Sequence, residues 1–595
     1  MRLVDALVCA LREWQVRRVF GVSGANIEHF HDAINRLGGD SLQSVMAKSE
    51  VGAAFMADAK ARIDGTLGVC CATSGGGMMN LAVGIAESYA ESVPVLGIVG
   101  QVATELEGRG GFQDSSGIGR TVDALGMWRS MTKYVAKIDS PDRFWETLHE
   151  AARTAVSGRP GPAVLLIPRD MYDKDVGERP RSFPRNLDEL RPPCSLPDSR
   201  SLRSLFAMLR DAKNPVCILG TGVERCSQPR AVTRFLEQTG IPVVTTMANP
   251  GSFTNNTEQY LGTVGVAGHP SAHEYINERA DAIVVVGSGL NIMARGPLGP
   301  GLSRARVAAV NIDAGTVRRI TDAEVIVECD AGVAFVELAA MLRKQPFRFH
   351  TPPSYRRSRF RPTLAEPRAQ APVPISPAAR PLLQSQALAI LQNHLPERGN
   401  IFFDAGNCAA AALHFLDIPD RATSTIALGM GGMGYAIAGA IGGQLSDRSP
   451  DQSMVLCGDG AFLMLGLEVH TAVELGLPIL FVVFNNNKHG MCVTRQRKFF
   501  DGRIECAEYG PVDIASIASG FGAVDKLWTG QARSAADLHT LLAEYQGTTS
   551  RGPGVLELIL PVEEVPPFTP LLGADAVTDL VDVPHPDVAR VRTLA

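Results

Sequence analysis

Two carboxylates and a run of three amides are the residues of this chain best placed to do chemistry. Gly458-Asp459-Gly460 is followed, 27 positions beyond the aspartate, by Asn486, the middle of Asn485-Asn486-Asn487. The residues between read as an apolar strand over 454–457, a tight glycine turn, a helix over 467–475 and an apolar strand over 479–484 that ends on the amides. A right-handed crossover sets the carboxyl ends of two such parallel strands side by side, where open α/β sheets bind ligands. One carboxylate and one or two amide oxygens then converge. With a backbone carbonyl, a water and two diphosphate oxygens they complete an octahedral Mg²⁺, which needs no all-protein cage. The second carboxylate, Glu50 in Ala47-Lys48-Ser49-Glu50-Val51-Gly52-Ala53-Ala54, opens a helix of small residues. Taken alone it also fits a first-turn acid that complements the helix dipole.

The elements that must position these groups follow an α/β pattern, with apolar strand-like runs alternating with amphipathic helical runs. Three stretches show it. The first, 1–180, has strands near 18–21, 67–72, 95–99 and 163–167, and opens with Leu3, Leu7, Ala10, Leu11 and Trp14 at helical spacing. The second, 196–345, has strands at 216–220, 242–245, 282–287 and 307–312; the third, 382–565, starts from 401–404 and holds the aspartate–asparagine motif. The expected fold is α/β, with three doubly wound parallel-sheet domains. Residues 346–381 are rich in proline and arginine without periodicity and read as a surface linker. A tail, 566–595, follows, and reads either as surface cover or as a lid over the site.

Composition removes several classes of function. A 595-residue chain with 45% hydrophobic and 20% charged residues fits a globular protein with large cores. A net charge of −5 argues for neither a nucleic acid nor a membrane surface as partner. Eleven cysteines without a C-x-x-C pair indicate neither zinc nor a disulfide framework. No apolar run reaches the roughly 20 residues of a membrane span, and the expected location is the cytoplasm.

Thr73-Ser74-Gly75-Gly76-Gly77-Met78-Met79-Asn80-Leu81 follows Glu50, and the metal motif lies in the third stretch. Together, and in this order, they resemble the acetolactate synthase-like superfamily of thiamine diphosphate enzymes over nearly the whole chain. The resemblance implies a pyrimidine-binding first domain, a Rossmann-like central domain and a diphosphate-binding third domain. It matches Glu50 to the glutamate that hydrogen-bonds the cofactor's aminopyrimidine and favours the imino tautomer that serves as internal base. Asn80 falls among the cofactor-binding residues. It matches Asp459, Asn486 and the Lys488 carbonyl to the Mg²⁺ ligands, and Met433, in Leu428-Gly429-Met430-Gly431-Gly432-Met433-Gly434-Tyr435, to the wedge that bends the cofactor. Gly431 would offer a carbonyl to the amino group, and Met491 would pack on the pyrimidine. Asp404-Ala405-Gly406-Asn407 matches the diphosphate loop, where Gly406 and Asn407, with Gly458, Gly460 and Ala461, would meet the phosphates.

Departures from the family pattern bear on the reaction. Simple decarboxylases of the superfamily carry a His-His pair in the first domain and a glutamate past the asparagine loop. Here those places read Gly110-Gly111-Phe112-Gln113-Asp114-Ser115-Ser116 and Cys492-Val493. A site poor in proton donors favours a carboligase: a 2-oxo acid loses CO₂ and its acyl anion attacks a second carbonyl. Gln113 matches the glutamine that acetolactate synthases and benzaldehyde lyase place near the reacting carbon. The arginine–tryptophan pair by which acetolactate synthases select a second 2-oxo acid is missing, although Arg295 or Arg495 could substitute. Ala25 and Asn26, in a loop close to that of benzaldehyde lyase, with His29, His489 and Arg495, are candidates for the substrate pocket. No ligand spacing connects His29, His31 and His489. The expected acceptor is therefore a specialised one. A docking patch for an acyl carrier protein at Arg356, Arg357 and Arg359 is the sharper reading of the linker, a solvated connector the plainer one. No flavin signature is visible, so FAD is not expected. The cofactor is expected between two chains, as homodimer or homotetramer. A 2-oxo acid decarboxylase, a flavin oxidase and a silent regulatory paralogue stay open as alternatives.

Overall fold

The computed structural model describes residues 1–319, 321–357, 381–522, 526–547, 552–562, 564 and 567–569. Runs such as Gly68–Ala72, Val95–Gln101 and Ala163–Pro168 are buried at every position, the mark of strands covered on both faces by helices. They belong to a six-stranded parallel sheet of β1 (Arg18–Gly21), β2 (Gln43–Met46), β3 (Gly68–Ala72), β4 (Val95–Gln101), β5 (Tyr134–Lys137) and β6 (Ala163–Pro168), in the order β2-β1-β3-β4-β6-β5. The central sheet contains β7 (Pro215–Leu219), β8 (Val243–Thr246), β9 (Tyr260–Val264), β10 (Ala282–Val286), β11 (Arg306–Asn311) and β12 (Val325–Glu328), in the order β12-β11-β10-β7-β8-β9. The third is built from β13 (Gly399–Phe403), β14 (Thr423–Ile426), β15 (Gln452–Gly458), β16 (Ile479–Asn485), β17 (Trp528–Ala532) and β18 (Gly554–Ile559), ordered β14-β13-β15-β16-β18-β17. Its order repeats that of the first sheet.

The three doubly wound sheets agree with the expected fold class, and the amino-terminal helix, Leu3–Glu13, is buried through Leu3, Leu7, Ala10 and Leu11. Two expectations change. Each sheet has more strands than periodicity indicated, because the missed ones include half-exposed edges: Gln43–Met46 and Tyr134–Lys137 expose one or both faces and so lack an apolar run. The helix after the glycine turn starts at Asp459, not at 467. Gly458 is still extended, and an acid in the first turn favours the helix dipole.

The first and third domains meet helix to helix. The Glu50–Asp64 helix packs against the Tyr435–Gln444 helix so closely that a Cβ on Gly442 would lie 2.0 Å from the Met56 carbonyl oxygen. Polar groups in this contact satisfy one another. Arg62 donates to Asp58 (2.6 Å), to the Ile426 carbonyl (3.1 Å) and to Glu87 (3.2 Å), and the Tyr435 hydroxyl donates to Asp58 (2.8 Å). Removing one member would leave a buried charge unpaired, at about 3–5 kcal/mol.

Of the linker, Arg356 pairs with Glu258, and Arg357 is held by Asp417 and lies over the Tyr260 ring. Two of the three arginines of the docking-patch reading are thus tied into the protein's own carboxylates; Arg359 lies outside the described residues. So does most of the tail, whose start is anchored by Thr569 donating to the Val266 carbonyl.

Candidate active site

Doubly wound sheets bind ligands at the carboxyl ends of strands where the order reverses. In the first sheet that crevice lies between β1 and β3. Asn26, after β1, donates its side-chain amide to Ser74 Oγ (2.8 Å) and its backbone N–H to Thr73 Oγ1 (3.2 Å), both just after β3. Glu50 stands at the first position of its helix, behind the N-cap Ser49, whose Oγ accepts from Gly52 N–H (3.0 Å). Asn80 donates to Glu50 Oε2 at 3.0 Å, and bare Gly77 lets Glu50 Oε1 lie against the next helix, where a Cβ would be 2.9 Å away. Gln113 packs on Gly75, 2.9 Å from where a Cβ would stand, with Oε1 3.4 Å from Thr73 Oγ1. It holds a left-handed backbone (φ 64°), while the Ser115 hydroxyl donates to its carbonyl oxygen (3.2 Å). Such strain in a non-glycine residue recurs at functional sites. Glu50, Asn80, Gln113 and Asn26 thus gather around one turn, Thr73–Gly77. The side chains bonded to this group are hydroxyls and amides.

The second cluster sits at the equivalent crevice of the third sheet. Asn407 opens the helix after β13, and Asp459 opens the helix after β15. The Asp459 carboxylate is buried, accepts from Gly460 N–H (2.9 Å) and Lys488 N–H (3.3 Å), and faces the Tyr509 hydroxyl. Burial pushes its pKa up; Tyr509 and the N–H groups of Gly460, Asn487 and Lys488 pull the other way. The amides of Asn486 and Asn407 converge on Gly490, 3.0 and 3.1 Å from where a Cβ would stand. Asn407 donates to Thr494 Oγ1 (3.3 Å), but its own buried Oδ1 has no partner. Gly406, Gly431 and Gly458 all face open space where a side chain would be. Met433 lies near Gly460, its Cε 3.3 Å from an ideal Cβ there, and His489 stands over the same glycine with its ring edge-on to Tyr509 (5.6 Å). Ala461 is buried in the core and Met491 packs on the third domain's core.

These residues fit a metal-bound diphosphate. Asp459, Asn486 and the Lys488 carbonyl are hard oxygen donors of the kind Mg²⁺ takes. The orphaned Asn407 amide and the glycine-lined space supply a polar, roomy lip beside them.

Comparison with known proteins identifies the family. Three family descriptions match in order: thiamine pyrophosphate enzyme, N-terminal TPP-binding domain, over residues 1–118; the central domain over 202–338; and the C-terminal TPP-binding domain over 404–558. Together they take in most of the chain. The chain belongs to the thiamine diphosphate enzymes. Similar proteins of this family include the acetolactate synthase large subunit of Corynebacterium glutamicum, 29% identical over 87% of this chain and 81% of its own. The Escherichia coli acetolactate synthase isozyme 1 large subunit is 28% identical over 95% of each chain. A probable acetolactate synthase large subunit of Methanocaldococcus jannaschii is 27% identical over 88% of this chain and 86% of its own.

Not every candidate joins the two clusters of this thiamine diphosphate enzyme. His29 stacks on Tyr172 (5.5 Å between ring centroids) and faces Asp173 (3.7 Å). Arg495 and Ala25 are exposed. Asp404 is turned inward: its carboxylate accepts from Gly434 N–H (3.0 Å) and Ala436 N–H (2.9 Å), so it fixes the start of the helix behind Met433. Tyr509, Thr494 and the Ser74–Ser115 hydroxyls were invisible in sequence, since single hydroxyls carry no spacing signal. A cavity of about 640 Å³ lies elsewhere, at the carboxyl ends of β7, β10 and β11. There the turns Thr221–Gly222 and Gly287–Ser288 close on each other, with Gly222 N–H donating to the Gly287 carbonyl (2.9 Å).

Proposed function

We propose that this chain is a Mg²⁺- and thiamine diphosphate-dependent carboligase, which decarboxylates a 2-oxo acid and joins its acyl anion to a second carbonyl. Bound thiamine diphosphate supplies the ylid and the electron sink. The chain's own residues do the rest. Glu50, steadied by Asn80, holds a proton at the pyrimidine; Asp459, Asn486 and the Lys488 carbonyl hold the metal. Asn407, Gly406, Gly458, Gly460 and Ala461 would border the cofactor's diphosphate, and Gly431, Met433 and Met491 would line the rest of it. Gln113 orients the substrate oxygen, with Asn26 and His489 at the pocket's edge.

The observation that carries the carboligase reading is that the side chains bonded around Glu50 and Gln113 are hydroxyls and amides. They are Thr73, Ser74, Ser115, Asn26 and Asn80. Hydroxyls and amides are poor acids, so a carbanion formed beside them outlives protonation and meets a second carbonyl. The names of the relatives, acetolactate synthases, support the same class. The test is a panel of 2-oxo acids given with and without aldehydes, 2-oxo acids or acyl thioesters, followed by product mass. A coupled product in excess over free aldehyde is expected. Aldehyde released alone would favour a decarboxylase, and peroxide an oxidase.

The reading needs two chains. The Glu50 cluster and the Asp459 cluster draw their hydrogen bonds from separate sheets, and each is bordered by exposed apolar side chains: Met79 and Val83 beside Asn80, Leu463, Met464 and Leu467 after Asp459. Apolar faces of this kind mark association surfaces, and a second copy set on them would bring unlike clusters together as a homodimer or a pair of dimers. The missing flavin signature in the sequence is the ground for expecting a protein without FAD, which predicts a colourless preparation; a yellow one would overturn that point and assign the central-domain cavity to the flavin. No helix among the described residues is long and apolar enough to cross a membrane, in keeping with a cytoplasmic enzyme.

A further inference from the structure

The first and third sheets share one strand order, and the helix Gly76–Ala90 joins β3 to β4 as the segment from Asp459 to Glu474 joins β15 to β16. From each of these equivalent connections one buried glutamate crosses into the other domain. Glu468, 1% exposed, accepts from Lys48 N–H (3.0 and 3.1 Å), Ser49 N–H (2.9 Å) and Ser49 Oγ (3.1 Å). Glu87, fully buried, accepts from Gly429 N–H (3.2 Å) and Met430 N–H (2.6 Å). The backbone each carboxylate grips runs directly into a cofactor element: 48–49 into Glu50, 429–430 into Gly431 and Met433. A Cβ on Gly52 would stand 2.1 Å from Glu468 Oε1, so the approach depends on glycine there.

Burying a carboxylate costs several kcal/mol unless its hydrogen bonds are complete. Two that are buried on the backbone preceding the two cofactor elements, at matching places in two domains of one topology, serve more than general cohesion. We propose that Glu468 and Glu87 are reciprocal positioning residues, the third domain setting Glu50 through Glu468 and the first domain setting the Met433 loop through Glu87. The proposal rests on the assignment of Glu50 and Met433 to cofactor binding.

Amide hydrogen exchange on the cofactor-free protein tests it without any turnover. Glu468→Gln keeps the shape but offers an N–H₂ to N–H groups; exchange at 48–52 should quicken at least about tenfold while 429–430 stays as in the wild type. Glu87→Gln should give the opposite pattern. With thiamine diphosphate and Mg²⁺ saturating, Glu468→Gln should slow exchange of the cofactor's C2 proton about tenfold or more, leaving KM for the donor acid within about threefold. Gly52→Ala, which displaces the carboxylate without removing it, should reproduce the local effect if Glu468→Gln folds poorly. Asp64→Asn, at the far end of the same helix where Asp64 meets Lys60 and Asp447, should lower the melting temperature without either local change. Wild-type exchange at 48–52 and at C2 in Glu468→Gln, or uniform loosening of the whole interface, would overturn the proposal. Glu50→Gln run alongside separates the two levels. If it keeps full C2 exchange, the functional reading itself fails; if it loses exchange while Glu468→Gln keeps it, only the positioning role falls.

Discussion

A single amide shows how narrowly the proposed metal site is defined. Asn486 lies beside Gly490 with Asn407 as its neighbour, while the residues on either side are committed to structure. Asn485 donates to Glu557 (2.5 Å) and to the Val512 carbonyl (2.9 Å), and Asn487 accepts from Val512 N–H (2.9 Å) in a left-handed conformation. Only the middle amide remains for a ligand. Asn486→Ala should therefore weaken Mg²⁺-dependent binding of thiamine diphosphate at least about tenfold, measured by fluorescence quenching against Mg²⁺, while the melting temperature of the cofactor-free protein barely moves. A large loss of apo stability instead would assign Asn486 to the fold. That Asp459 and Asn486 stand at the ends of neighbouring strands was legible in sequence, because their spacing spans one strand–helix–strand unit. Glu468 was not. Its only sign was an acid after the apolar run Ala461–Leu467, and its partners lie some four hundred residues earlier.

At the scale of elements, the Glu50–Asp64 helix carries one proposed cofactor element, the Tyr435–Gln444 helix follows the other, and the two helices pack closely on each other. Small residues let the backbones approach, and Gly442 is the tightest point. Gly442→Ala puts a methyl group against the Met56 carbonyl; overpacking of this kind costs about 1–3 kcal/mol. A lower denaturation midpoint should accompany a weaker cofactor affinity, because Phe55 of one helix abuts Gly432 in the loop beside Met433. Unchanged affinity in a destabilised variant would show that the helices do not set the loop. The small-residue character of both segments is plain in the sequence. That they pack on each other is not, since a helix rich in alanine and glycine suits many neighbours.

At the scale of the molecule, the central and third domains meet through histidines. His273 Nε2 accepts from Gly265 N–H (3.3 Å), His414 Nδ1 bonds the Gly268 carbonyl (3.0 Å), and the His269 and His414 rings lie 5.3 Å apart. Burial, with His414 nearby, holds His273 down at about 4, while the unfolded chain protonates it near its ordinary 6.5. Between these values the unfolded state carries the extra proton, so stability is intact above pH 6.5 and falls as the pH drops toward 4. Equilibrium unfolding across that window should lose about 2–4 kcal/mol from His273, and His273→Gln should flatten the slope. An equal slope in the variant would place the acid sensitivity elsewhere.

The order of Glu50, the triple-glycine turn, Gly406–Asn407, Met433, Asp459 and Asn486 was enough to name the cofactor and the three-sheet architecture. Those features are local: a strand end, a turn and a helix start lie within a few residues of one another, so their chemistry is written in spacing. Tertiary structure alone decided which of the candidate side chains are spent on contacts within the fold. It turned Asp404 onto the start of the Tyr435–Gln444 helix, tied Arg356 and Arg357 to carboxylates, sent His29 to Tyr172, and set Glu468 and Glu87 across the domain boundary. Such contacts join residues far apart in the chain, where burial and shape choose partners that no spacing records.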